Sequence, residues 1–138
     1  MSLTEESRQG EVKQRISRGL VALLKSRFGR GPTSARAYVS DDVITVVLRD
    51  NLTPVEHTLI ENERAAVVGD LREGFLSAIC DEAVALVERE TGRSVAAFLS
   101  DHNVVSDIAV EVFVLEPLAE DEDSEPCTDR AKQDGSAS

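Results

Sequence analysis

No apolar run in this sequence approaches the roughly 18–20 residues needed to cross a bilayer. The chain is therefore expected to have no membrane span, and by itself it cannot conduct an ion through a membrane. Positive charge is also in deficit: 15 Lys and Arg stand against 26 Asp and Glu, a net charge of -11. That excludes the fold-wide basic footprint of nucleic-acid binding, and no nucleic-acid partner is expected. The first residues, MSLTEESRQGEVKQ, are polar and hold no apolar signal core, which points to the cytoplasm. Cysteines number two, Cys80 in an apolar helical stretch and Cys127 in a polar one. A bridge between them would tie a core helix to a floppy end, so both are expected as free thiols. Aromatics are scarce at 4%, yet hydrophobic residues reach 41% and charged residues 30%. This is an ordinary globular composition rather than a disordered or fibrous one. At 138 residues one domain is expected, burying roughly two-thirds of the surface its unfolded chain exposes.

The composition changes near residue 118. From there to the end, Glu120, Asp121, Glu122, Asp123, Glu125, Asp129 and Asp134 are opposed only by Arg130 and Lys132. With almost nothing apolar to bury, residues 118–138 are expected to form an acidic disordered tail, and residues 1–117 a single domain. The tail serves as a solubiliser or as an acidic interaction arm.

The domain opens on a helix over about residues 4–28. Val12, Ile16, Leu20, Leu23 and Leu24 recur at helical spacing, and Phe28 follows one turn on. Ser2 and Glu5 have the spacing of a capping box. Gly29, Gly31 and Pro32 end the helix. Arg8, Lys13, Arg15 and Arg18 lie on its other face, with Lys25 and Arg27 further along. In an acidic protein this basic face is either solvated or a dock for acidic partners or an anionic membrane surface.

A hairpin follows, with Arg36–Ser40 and Val43–Leu48 as strands and Asp41-Asp42 as the turn. The second strand is apolar on both faces, so it lies in a sheet covered on both sides or faces a partner subunit. Thr53, Pro54 and Glu56 form the sharpest local signal, a cap, an N1 proline and a capping box, for a helix over about residues 54–61. Val67, Val68, Leu71, Phe75, Ile79, Ala83, Leu86 and Val87 then trace one apolar stripe ending at Gly92. As a single helix over residues 63–91 it is about 43 Å long. That overhangs so small a domain and suggests a homodimer; Gly69 and Gly74 are its weak points. Strands over residues 94–99 and 108–115, joined by the polar stretch 100–107, close the domain. The order α-β-β-α-α-β-β predicts an α+β fold, a four-stranded mainly antiparallel sheet packed with a long N-terminal and a long central helix.

Catalytic and cofactor signatures are missing. Neither a G-x-G-x-x-G fingerprint nor a Walker A motif occurs, and no cofactor is expected. The nearest feature is the Gly-rich turn Gly29-Arg30-Gly31-Pro32-Thr33-Ser34. It lies at a helix C-terminus, the wrong dipole end for phosphate. Arg30, Thr33, Ser34 and Arg36 are still candidates to hold an anion or a partner through side chains and a backbone nest. His57 and His102 are isolated in sequence. Asp101, His102 and Asp107 are the only local metal candidates, adjacent residues on a turn point apart, and no metal site is expected. Cys80 is expected as an inert thiol.

Several segments together resemble one family. They are Phe28-Gly29-Arg30-Gly31-Pro32-Thr33-Ser34-Ala35-Arg36, Asp41-Asp42-Val43-Ile44-Thr45-Val46-Val47-Leu48-Arg49, Leu52-Thr53-Pro54-Val55-Glu56, Ala97-Phe98-Leu99-Ser100-Asp101, and the run from Asp107 to Pro117. Over about residues 8–117 the chain looks like the MpsC-like family, a former bacterial domain of unknown function labelled as part of a sodium-translocating membrane-potential-generating system. The resemblance implies a non-enzymatic cytoplasmic accessory of a membrane-potential-generating or ion/inorganic-carbon uptake system. Such a protein acts by protein–protein interaction, peripherally at the inner face of the membrane, with an integral membrane ion-transport protein as partner. It brings no catalytic residue. The alternatives are a small-anion-sensing regulatory module, for example for bicarbonate, and an enzyme built around His57 or His102.

Overall fold

The computed structural model describes residues 2–118, with side chains from Ser7 onward. The expected acidic tail beyond Leu118, with Cys127, lies outside the described residues, and the Ser2/Glu5 capping box lies outside the described side chains. Helix α1 (Ser2–Phe28) buries Ile16, Leu20 and Leu24 as one stripe. It stops at Gly29, whose φ of +89° and N–H bond to the Lys25 carbonyl at 2.9 Å form the left-handed cap that glycine adopts without strain.

Strands β1 (Ser34–Ser40) and β2 (Val43–Arg49) form the expected hairpin. At its turn Asp41 takes a left-handed φ of +52°. Helix α2 (Pro54–Glu61) begins with the predicted capping box: Glu56 N donates to Thr53 Oγ1 at 3.3 Å and Thr53 N to Glu56 Oε1 at 2.8 Å. Thr53→Ala is expected to cost about 1 kcal/mol, read as a lower urea midpoint with unchanged slope.

The stripe expected to be one long helix runs instead as α3 (Ala65–Ala78) and α4 (Cys80–Thr91). The break falls at Ile79, not at Gly69 or Gly74, both of which stay inside α3. Ile79 has φ -100° and ψ 9° and serves both helices. Its N–H reaches the Phe75 carbonyl at 3.1 Å, and its carbonyl accepts from Ala83 N at 3.0 Å. Breaking at Ile79, itself 5% exposed, keeps Val68 and Phe75 over one end of the core and Ala83, Leu86 and Val87 over the other. The overhang that suggested a dimer therefore does not exist. Helix α4 packs on α1 at Gly19, where an added Cβ would lie 2.6 Å from Leu86 Cδ1.

Strand β3 (Val95–Asn103) is longer than expected, because Ser100–Asn103 continue the ladder rather than turning. The turn is confined to residues 104–107, with Asp107 at φ +57°. Strand β4 (Ile108–Leu115) returns between β2 and β3, giving the antiparallel order β1-β2-β4-β3. The α+β class, the four-stranded antiparallel sheet and the long first helix are as the sequence implied.

Alternation along the strands separates two faces. Ala37, Ile44, Val46, Leu48, Ala109, Phe113 and Leu115 are buried beneath the helices. Every residue on the opposite face, from Arg36 and Tyr38 on β1 to Leu99 and Asp101 on β3, is exposed or half-buried. Among the described residues the helices cover one face only.

Candidate functional site

The basic face of α1 does not act as one surface. Lys13, Gln14, Ser17 and Arg18 stand as two i,i+4 rows and, with Gly10, form one wall of a groove of about 380 Å³. The other wall is β1, at Ala35, Arg36 and Ala37. Among the described residues no carboxylate lines this groove. Lys13 and Arg18 of α1 thus stand beside the edge strand, where the register puts Arg36 on the helix-free face of the sheet. Arg15 turns the other way, toward Glu11 at 3.9 Å and Glu90 of α4 at 4.0 Å. Arg8 is exposed a turn earlier. Arg27 pairs with Glu82.

The Gly-rich turn is divided as well. Arg30 donates from Nη1 to the Asp50 and Leu52 carbonyls at 3.0 and 2.7 Å, and from Nη2 to Asp50 Oδ2 at 3.2 Å. Thr33 Oγ1 donates to the same carboxylate oxygen at 3.0 Å. Arg30 and Thr33 therefore clip the end of α1 to the end of β2, while Ser34 and Arg36 are exposed on β1. Of the four anion candidates, Arg30 and Thr33 are thus engaged by Asp50 and Leu52, and Ser34 and Arg36 share one face of β1.

A buried polar knot, not anticipated from sequence, lies at that end of the sheet. Arg72 of α3 donates from Nε to Glu56 Oε2 at 2.7 Å, and from Nη2 to Glu56 Oε1 at 2.6 Å and to the Asn51 carbonyl at 3.0 Å. Its guanidinium lies 3.8 Å above the centre of the Phe28 ring. Burial alone would push the Glu56 carboxyl up. The hydrogen bonds from Arg72 and Thr53 and the charge of Arg72 outweigh it and hold the group below its ordinary value. Asp107 follows the same logic: burial is outweighed by bonds from Leu52 N, His102 and Asn51. His102 Nε2 lies 3.0 Å from Asp107 Oδ1. Asp101, the third metal candidate, falls on the opposite face of β3 from His102. Ligand atoms of Asp50, His57 and Asp107 lie within 4.8 Å of one another. Both carboxylates are already taken up by the bonds given above.

Between α3 and β3 lies a cleft of about 550 Å³, with Arg72 and Cys80 on one side and Phe98, Ser100 and His102 on the other. Behind Ser100, its cross-strand neighbour Glu111 points into the core. Glu111 is 2% exposed, and its Oε1 has no hydrogen-bond partner. Burial pushes its carboxyl up to about 7, Ser100 acting weakly in the opposite direction. The sequence did carry a signal for both charges. Arg72 interrupts the apolar stripe between Val68 and Phe75, and Glu111 takes an inward place between Ala109 and Phe113.

The structure defines a small α+β domain with a basic groove at one sheet edge. No helix among its described residues is long and apolar enough to cross a membrane. The chain belongs to the MpsC family, described as the Na+-translocating membrane potential-generating system (MpsC), whose pattern matches residues 8–117. No curated protein and no solved structure matches it.

Proposed function

We propose that this chain is a non-enzymatic accessory of a membrane-potential-generating or ion/inorganic-carbon uptake system. It works as a homodimer on the cytoplasmic side and docks an integral membrane ion-transport protein. The observation that carries this reading is the groove between α1 and β1. Lys13 and Arg18 line it with no carboxylate among the described residues, in a chain whose net charge is -11. A local basic groove on an acidic body steers an acidic segment to one place and repels it elsewhere. Membership of a family tied to a membrane system supplies the kind of partner.

The test is affinity capture of the tagged full chain from gently solubilised native membranes, with mass spectrometry of what is bound. The wild-type chain is expected to recover an integral membrane ion-transport protein. The Lys13→Glu/Arg18→Glu variant is expected to lose at least nine-tenths of it while keeping its circular dichroism. Equal recovery by both, or recovery of no membrane transport protein by either, overturns the reading.

A further inference from the structure

The helix-free face of the sheet is apolar without a cover among the described residues. At its centre stand Val47 of β2 and Val110 and Val112 of β4. Tyr38 and Leu99, on the outer strands, are 50% and 56% exposed. Isolated exposed apolar residues need no explanation, but a contiguous sheet face does.

We infer that this face is the interface with a second copy of the chain, the two sheets stacking about a two-fold axis parallel to the strands. The inference rests on the homodimer reading above and locates its surface. Two-fold stacking of this kind keeps each cross-strand row at its level and exchanges its ends. Strand β1 then lies over the partner's β3, and β2 over the partner's β4.

The registers make the face self-complementary under that operation. Arg36, Val47, Val110 and Asp101 form one continuous row. Exchanging the ends places Arg36 of each copy over Asp101 of the other, so two reciprocal ion pairs flank a valine centre. The next row runs Tyr38, Thr45, Val112, Leu99. The same exchange seats each exposed Tyr38 on the partner's Leu99, covering the two large apolar side chains exposed on this face. Arg49, the remaining charge on this face, falls in the end row opposite Ile108. A hydrophobic or acidic segment of another protein would satisfy one edge of the face and leave the other edge facing a like charge or an apolar side chain. A second copy satisfies both.

The size of the face agrees. Four strands about 4.8 Å apart and seven residues long at about 3.3 Å each give roughly 450 Å² in plan per copy. Stacking removes about twice that from water, and more once side-chain relief is included, which reaches the lower range of specific interfaces. Aligned sheets cross at about 30° some 10 Å apart. That rotation slips the outer strands by only about 4 Å, which the long Arg36 side chain spans.

The test is sedimentation analysis of the full chain at several concentrations, with circular dichroism to confirm folding. The wild-type chain sediments as a dimer. Val112→Lys, at the centre of the face, yields a folded monomer. Arg36→Glu and Asp101→Arg each weaken the dimer at least tenfold at low salt, since each places like charges together twice. The combined Arg36→Glu/Asp101→Arg chain restores the reversed pairs and returns to within about threefold of wild type. A wild-type monomer throughout overturns this inference together with the homodimer reading. A dimer indifferent to all three single changes overturns this inference alone. Loss of the dimer without rescue by the charge swap overturns the two-fold arrangement.

Discussion

Arg72→Met is expected to destabilise the domain by about 3–5 kcal/mol, a large share of the roughly 5–15 kcal/mol typical of a domain. Glu56 is 3% exposed and Arg72 4% exposed. Removing the guanidinium leaves the carboxylate without its cation and the Asn51 carbonyl without its donor. Methionine restores the apolar volume over Phe28 but neither bond. The loss is therefore electrostatic rather than a cavity effect, and it should be much smaller in the Glu56→Gln/Arg72→Met double variant than the two single losses summed. Urea denaturation of the four chains measures the cycle. A loss below about 1 kcal/mol for Arg72→Met, or additive single losses, would show that the pair is not coupled as the geometry requires. The acid limb should change too. The Glu56 carboxyl is held below its ordinary value, so its contribution is complete above the ordinary carboxylate range and fades as pH falls through the folded value. In Arg72→Met that fading disappears.

Glu111→Gln is expected to act in the opposite direction. The native carboxyl is raised from 4.5 to about 7 by burial. A raised acid binds its proton more tightly folded than unfolded. Stability from this group is complete below the unfolded value and is lost as pH climbs from about 4.5 to about 7. Above that, keeping a buried carboxylate ionised costs on the order of 3 kcal/mol. Glutamine, which does not ionise, should be more stable than the native chain by about that amount at pH 8, the advantage shrinking to near zero by pH 4.5. Thermal melts of both chains across this range decide it; parallel pH profiles would mean that Glu111 does not titrate on folding. With Glu56 and Asp107 lost at low pH and Glu111 penalised at high pH, the native chain should be most stable near pH 5.

How far the sequence reached is clear from particular residues. Local rules placed α1, the first hairpin and the Thr53/Glu56 box, because the helix and the box rest on contacts within four residues and the hairpin on a tight turn between adjacent strands. The same rules misjudged two places. One stripe from Val67 to Val87 was continuous in pattern, but it breaks at Ile79, whose backbone leaves helical geometry while its side chain stays in the core. The polar residues Ser100–Asn103 looked like a turn, but they are ladder residues whose side chains face the cleft and the open sheet face. Lys13 and Arg18 were visible as candidates on the basic face of α1. That they line a groove against β1 was not, since that depends on how α1 packs on the edge strand.

The sequence by itself determined the element types and the family, since these follow from periodicity, caps and local motifs. It also held the two inward charges, Arg72 and Glu111, as interruptions of apolar patterns. Only the tertiary structure decided their opposite fates. Arg72 meets Glu56 across sixteen residues of chain, while one Glu111 oxygen meets no partner at all. It also decided that, among the described residues, one face of the sheet stays uncovered, because α1, α3 and α4 all pack on the other.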